Sequence, residues 1–137
     1  MRIERVTDIV EIQRCLPFEQ EIRDKGRDSG KVSDMLYSIK ELVKNPMFGF
    51  WIAYDDDDNI KGYLSLLASN IPGIKRLVVL RLYAKTKELF DTFYEVGREF
   101  AKQYGIKSMA MTTSKSIKAY QRRHGWKAVS VNLEKEI

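Results

Sequence analysis

Between residues 48 and 84 the chain reads "FGFWIAY", "DDDDN", "IKGYLSLLA", "SNIPG" and "IKRLVVLRLYA". Three runs rich in aromatic and β-branched residues, separated by two short polar turns, are expected to pair as an antiparallel meander. That meander constrains everything else, because the remaining segments must cover or extend its sheet. The consecutive aspartates Asp55 to Asp58 have the residue type of a cation site. An oxygen cage, however, needs ligands at staggered positions and a turning glycine, so the stretch reads as a solvated hairpin tip. The third run is almost continuously apolar, which suits a strand covered on both faces.

The flanking segments read as follows. "RIERV" is a short strand. Thr7, with Asp8 behind it in the first turn, opens a helix carrying Ile9, Val10, Ile12, Cys15 and Leu16, which Pro17 interrupts. A polar stretch, "FEQEIRDKGRDSGK", leads to Ser33, the expected cap of a helix over "DMLYSIKELVKN" that Asn45-Pro46 ends. After the meander, Thr86 caps a long helix in which Leu89, Phe93, Val96, Phe100 and Tyr104 share one stripe, and Gly105 closes it in a left-handed conformation. "IKSMAMTT" is a further strand, "SKSIKAYQRRH" a short helix and "WKAVSVNLEKEI" a last strand. This order predicts an α/β fold: a mixed, mostly antiparallel sheet flanked by helices, with one parallel strand-helix-strand unit. No repeat or linker divides residues 1–137, so one domain is expected.

Composition narrows the function classes. No apolar run approaches the roughly 18 to 20 residues of a membrane span. The segment "MRIERVTDIVEIQ" carries charges where a signal peptide needs an apolar core, so a cytoplasmic protein with no membrane partner is expected. Cys15 is the lone cysteine and reads as a small buried apolar residue rather than a nucleophile. The net charge is +5, and residues 98–137 hold 9 basic and 3 acidic side chains. Such a patch attracts nucleic acid, an acidic partner or a phosphorylated cofactor, or is simply a solvated face. The aromatic-basic interleaving of a strong nucleic-acid binder is missing. No His, Cys or carboxylate group has metal-ligand spacing, and a single histidine in an unsupported context does not argue a Ser-His-Asp arrangement.

Four pieces together resemble the GNAT superfamily of N-acetyltransferases over essentially the whole chain. "MRIERVTDIVEI" resembles its opening strand and helix, and "FWIAYDDDDNIKGYLSLLA" its central hairpin. "RLVVLRLYAKTKELFDTFYEVGREFAKQYGIKSMAMTT" has the lengths of its cofactor-binding strand, helix and next strand. "SKSIKAYQRRHGWKAV" resembles its terminal helix and the Gly-aromatic step into the final strands. The resemblance implies transfer of acetyl from acetyl coenzyme A to an amine of a small molecule or protein, in a direct ternary complex, by a monomer or homodimer. It also implies that two parallel strands splay, leaving the backbone of Leu80, Arg81, Leu82 and Tyr83 to pair with the pantetheine arm. An N–H around Leu80 to Leu82 would polarise the thioester carbonyl. Lys85, Thr86 and Lys87 would hold the pyrophosphate at the start of the following helix, where free N–H groups and the helix dipole favour an anion. Ser114 takes the position at the start of the terminal helix where the family often has Asn.

Two departures from the family pattern stand out. An ungapped alignment puts Lys85 at the basic position of the phosphate loop, and Glu88 and Phe90 where the family has small residues. A carboxylate there repels a pyrophosphate, and Phe90 fills space the backbone normally leaves open. The family's general-acid tyrosine lies four residues before the glycine of the terminal step. Here Gln121 lies four before Gly125 and Tyr120 five, so either Tyr120 or Gln121 faces the coenzyme sulfur, depending on how the helix ends. Only 12 residues follow Gly125, enough for one strand, so the substrate side is open or completed by a second subunit. His124 reads as a residue interacting with the helix dipole, Arg122 and Arg123 as a solvated face or a phosphate contact, and Trp126, Phe50 and Trp51 as packing residues. Glu41, Tyr63, Asp91 and Glu95 qualify as general base by type alone. Two other readings fit: a GNAT-fold binding or assembly module without acetylation activity, and a relative acting on nucleic acid.

Overall fold

The structure is a computed structural model, and it describes residues 1–24, 32–71 and 74–111. Its elements run β1 (Arg2–Arg5), α1 (Ile9–Ile12), a 3₁₀ turn (Gln13–Cys15), α2 (Leu16–Asp24), α3 (Val32–Leu42), β2 (Phe48–Tyr54), β3 (Ile60–Ile71), β4 (Ile74–Ala84), α4 (Lys87–Gln103) and β5 (Met109–Met111). The strands form one sheet in the order β1-β2-β3-β4-β5, antiparallel up to β4 and parallel between β4 and β5. This is the mixed α/β sheet flanked by helices that the sequence predicts. The expected terminal helix and last strand lie outside the described residues.

Alternation along the strands divides the core in two. On one face Phe48, Phe50, Ile52 and Tyr63 pack with Ile12, Cys15 and Ile39 from the N-terminal helices. On the other, Trp51, Leu64, Leu66 and Leu77 pack with Leu89, Phe93 and Phe100 of α4. β2 is buried at every position, so Phe50 and Trp51 are core residues as expected. β4 departs from expectation. It is half-buried at most positions and exposed at Lys75, Arg76 and Leu80, so its apolar run is not sealed on both faces.

Local chemistry accounts for the element boundaries. Asp8, not Thr7, caps α1, its carboxylate accepting from Val10 N–H at 2.9 Å. Pro17 does not end the helical segment, because α2 begins at Leu16 and Pro17 lies in its first turn, where a missing N–H costs nothing. Leu16 N–H instead donates to Gln13 C=O in a 3₁₀ bond just ahead of the proline. The polar stretch after Pro17 is therefore helical through Asp24. α3 starts at Val32, which puts Ser33 inside the helix rather than ahead of it. β3 runs to Ile71, so "SNI" belongs to the strand rather than the turn, with Ile71 opposite Ile74.

α4 follows the sequence reading closely. Thr86 caps it, its hydroxyl accepting from Leu89 N–H at 3.2 Å. At the other end Gly105 adopts φ 65°, with Gly105 N–H bonded to Lys102 C=O and Ile106 N–H to Ala101 C=O, the pattern that ends a helix in a left-handed residue. The Asp55–Asn59 tip is also as read. Asp55 accepts from Asp57 N–H, Asn59 N–H and the Asn59 side chain, while residues 56–59 are exposed.

Candidate functional site

The register of β3 with β4 breaks at one place. Ser65 lies opposite Arg81 and Leu66 opposite Val79, so Leu80 is one residue more than β3 can match. An extra residue of this kind bends the strand and interrupts its ladder. On its other side β4 pairs with β5 only through Leu77–Met109, Val78–Ala110 and Val79–Met111. Met111 is the last described residue there, so whether the strands splay beyond Val79 lies outside the described residues. The bulge thus falls at the first of the residues expected to meet the pantetheine arm. Leu80 is 37% exposed, and Arg81, Leu82 and Tyr83 are half-buried.

β4 runs directly into the start of α4. Lys85 N–H donates to Lys61 C=O at 3.2 Å, and Phe90 N–H makes the first helical bond, to Thr86 C=O at 3.1 Å. Since Thr86 takes Leu89 N–H, the N–H groups of Lys87 and Glu88 have no carbonyl a turn back to bond, which is the usual provision for an anion at a helix start. Lys85, Thr86, Lys87 and Glu88 are all exposed. Lys85 Nζ lies 5.4 Å from the Phe18 ring centroid, so α2 also borders this end of the sheet. Gly62 makes the close packing here feasible. A Cβ at that position would collide with the Tyr83 carbonyl oxygen and sit 2.7 Å from Leu89 Cδ2 and 3.0 Å from the Phe93 ring.

On the face towards the N-terminal helices, aromatic rings connect these strands. Phe50 stacks on Tyr63 at 5.9 Å, Tyr63 on Tyr83 at 5.5 Å, and Tyr83 meets Phe18 at 5.0 Å. Under them, Glu19 of α2 is 2% exposed and accepts a 2.6 Å hydrogen bond from Tyr63 Oη on Oε1. Among the described residues, Glu19 Oε2 and Ser65 Oγ are the buried side-chain polar atoms without a hydrogen-bond partner. Leaving such an atom unpaired costs about 1 to 3 kcal/mol, and more for a charge. Burial and the Glu19 carboxylate push the Tyr63 hydroxyl far up, so it stays protonated as a donor. Burial, then the charges of Glu19 and Glu11, push the Cys15 thiol up to about 12, which leaves it inert.

The sequence-predicted residues are therefore distributed as follows. Leu80, Arg81, Leu82, Tyr83, Lys85, Thr86 and Lys87 form one continuous stretch from the bulge to the helix start. Ser114, Tyr120 and Gln121 lie outside the described residues, as do Arg122, Arg123, His124 and Trp126. Of the general-base candidates, Glu41, Asp91 and Glu95 are exposed, Glu95 in an ion pair with Arg98, and Tyr63 is sealed and donating to Glu19. The polar stretch after Pro17 holds α2 and, within it, the buried Glu19. Proline as a helix opener, followed by Phe18 and Ile22 four residues apart, was the signal that α2 exists. A shallow cleft of about 190 Å³, lined by Arg5, Lys44, Phe48 and neighbours, contains no residue of β4 or α4.

No family model matches the chain, and no curated protein matches it. Solved structures do. A predicted acetyltransferase with acetyl-CoA from Clostridium acetobutylicum superposes with a TM-score of 0.78 at 13% identity, over 98% of this chain and 95% of that one. The aminoglycoside 6'-N-acetyltransferase AAC(6')-IG of Acinetobacter haemolyticus gives 0.73 at 16% identity, over 100% and 99% of the two chains. AAC(6')-Iy in complex with the bisubstrate analogue CoA-S-monomethyl-acetylneamine gives 0.68 at 12%, over 99% and 97%. At these identities the likeness is one of fold.

Proposed function

Starting from the GNAT acetyltransferase fold of this chain, we propose that it transfers acetyl from acetyl coenzyme A to a primary amine of a small molecule. The observation that carries the reading is the bulge at Leu80, one strand-end away from a capped helix start with two N–H groups unclaimed by the helix. In this reading the β4 backbone around Leu80 to Tyr83 binds the pantetheine arm, and an N–H of Leu80 to Leu82 polarises the thioester carbonyl. Lys85 and Lys87 supply charge to the pyrophosphate, and the Lys87 and Glu88 amides supply hydrogen bonds. Thr86 serves through its cap rather than as a phosphate donor. When bound, the coenzyme supplies the activated acetyl group, and the chain supplies orientation and charge. An amine acceptor agrees with the neighbours, one of which is named for acetylating an aminoglycoside and another of which holds an analogue joining coenzyme A to acetylneamine.

The test is thermal stability with acetyl coenzyme A, followed by release of free thiol on adding amines. A ligand at about 100 times its Kd adds ~2.7 kcal/mol, about 10 °C in Tm for a domain of this size. No shift at millimolar coenzyme contradicts the reading. A second reading, a GNAT-fold binding module without acetylation, is favoured by Glu88, which stands exposed at the helix start where the phosphates would lie. It predicts no thiol release with any amine.

A further inference from the structure

Two lysines stand opposite each other where β3 begins and β4 ends. Gly62 is the register partner of Ala84, and Lys85 N–H donates to Lys61 C=O at 3.2 Å, so Lys61 and Lys85 occupy the next rung of the same ladder. Residues directly opposite in an antiparallel pair share a face, with Cβ atoms about 4.5 to 5.5 Å apart. The Lys85 ammonium lies 5.4 Å from the Phe18 ring centroid, which puts that face towards α2. A second bulge holds Lys61 on the same side. Ala53 pairs with Gly62 and Tyr54 with Ile60, so Lys61 is one residue more than β2 can match. A Cβ on Gly62 would meet Leu89 and Phe93 of α4, whereas Ile60 belongs to the core under the N-terminal helices. The extra residue lets Ile60 and Lys61 both point that way.

Like charges directly opposite one another destabilise a sheet, and this rung is only partly neutralised. Lys61 Nζ stands 3.5 Å from Asp55 Oδ2, an oxygen that also accepts from the Asn59 side chain. Lys85 has its ring contact with Phe18 and no ion pair among the described residues. The Lys61 side chain is 35% exposed and Lys85 is exposed, so solvent reaches both. Two ammonium groups on one rung, beside the Phe18 and Tyr83 rings and with one carboxylate at the border, suit a ligand oxyanion that accepts from both. The rung lies on the β3 side of β4, away from β5, so its lysines add to the Lys87 and Glu88 amides at the helix start rather than repeat them.

We propose that Lys61 and Lys85 form a two-lysine oxyanion site that takes a phosphate or carboxylate group, which goes beyond the acetyl-transfer reading. Under that reading two molecules bring such a group to this end of β4: an amine acceptor with an anionic substituent, or coenzyme A through its phosphates. In either case Lys61 is a specificity-determining residue supplied by the bulge.

The test is a titration of the wild-type chain with inorganic phosphate at constant ionic strength, followed by amide NMR. The expected result is saturable shifts at Lys61, Gly62 and Lys85. Binding weakens about tenfold in Lys61→Met and in Lys85→Met, as loss of one charged hydrogen bond implies. Lys61→Arg keeps the charge and is expected to stay within about threefold of wild type. No saturable shift at these amides at tens of millimolar phosphate overturns the site, and so do shifts that persist unchanged in Lys61→Met. Two comparisons then identify the source. A Lys61→Met loss of kcat/KM for O-phosphoethanolamine but not for ethanolamine assigns the oxyanion to the acceptor. A larger loss of affinity for coenzyme A than for dephospho-coenzyme A assigns it to the 3'-phosphate, and equal losses assign it to the pyrophosphate. No loss in any of these overturns a part for the site in acetyl transfer. The phosphate titration needs no coenzyme, so a chain that binds phosphate here but no coenzyme A contradicts the acetyl-transfer reading and leaves the site standing.

Discussion

A single side chain can be read chemically when its surroundings leave it one role. Cys15 is fully buried, with its thiol pushed up to about 12 by burial first and by Glu19 and Glu11 next. Thiolate is the reactive form, so Cys15 is expected to resist thiol reagents in the native protein and to react at once in denaturant. A native-state rate like that of a free thiol would contradict this packing. Glu88 is the opposite case, exposed and in the first turn of α4. Its charge favours the helix dipole but opposes a phosphate in the same place. Glu88→Gln is therefore expected to tighten coenzyme A binding about two- to fivefold at low salt, while lowering stability by ~0.3 to 1 kcal/mol. Calorimetric titration of both proteins checks it; unchanged affinity would mean the phosphates bind elsewhere.

At the level of elements, the candidate site depends on how closely β3, β4 and α4 approach one another. Gly62 sits where a Cβ would meet the Tyr83 carbonyl and the side chains of Leu89 and Phe93. Gly62→Ala must push β4 or α4 outward, and overpacking of this kind costs about 1 to 3 kcal/mol. Urea unfolding measures that cost, and a variant as stable as wild type would show that the contact relaxes freely. The elements also explain what could be read beforehand. The hairpin, β4 and α4 were legible because each has an undisturbed period, a turn of polar residues or a cap. α2 was not, because Pro17 carries opposite meanings inside a helix and in its first turn, and only the 3₁₀ bond from Leu16 to Gln13 decides between them. The bulge at Leu80 was not legible either. No glycine marks it, and it exists only in the register of β4 against β3.

Across the whole molecule, the N-terminal helices are fastened to the hairpin by polar contacts as well as by the shared core. Tyr54 Oη donates to Glu11 Oε1 at 2.7 Å, Arg14 pairs with the same oxygen at 2.7 Å, and Arg14 also reaches Asp58 C=O at 2.9 Å. The hydrogen bond from Tyr54 foremost, with Arg14 adding to it against the desolvation cost, holds the Glu11 carboxyl below its ordinary 4.5. The folded value is lower than the unfolded one, so the contribution is complete above pH 4.5 and is lost as pH falls through the folded value. Stability is expected to fall between pH 5 and pH 3, and Glu11→Gln to reduce that slope. A variant with the wild-type slope would assign the acid sensitivity to other carboxylates such as Asp55, which is lowered chiefly by the backbone N–H of Asn59.

The same scale shows how much of the site the sequence carried. That β4 ends at Ala84 and α4 starts at Lys87 behind a Thr86 cap was legible, because strand length and a capping threonine are local properties. The buried Glu19–Tyr63 hydrogen bond was not legible, because it joins residues 44 positions apart.

The most direct measurement is a two-dimensional amide NMR titration of the protein with coenzyme A. The account predicts saturable shifts concentrated at Leu80 to Glu88, at the bulge and the first turn of α4, with the Arg5–Lys44 cleft unaffected. Absence of shifts at millimolar coenzyme, or shifts confined to residues outside β4 and α4, would contradict it.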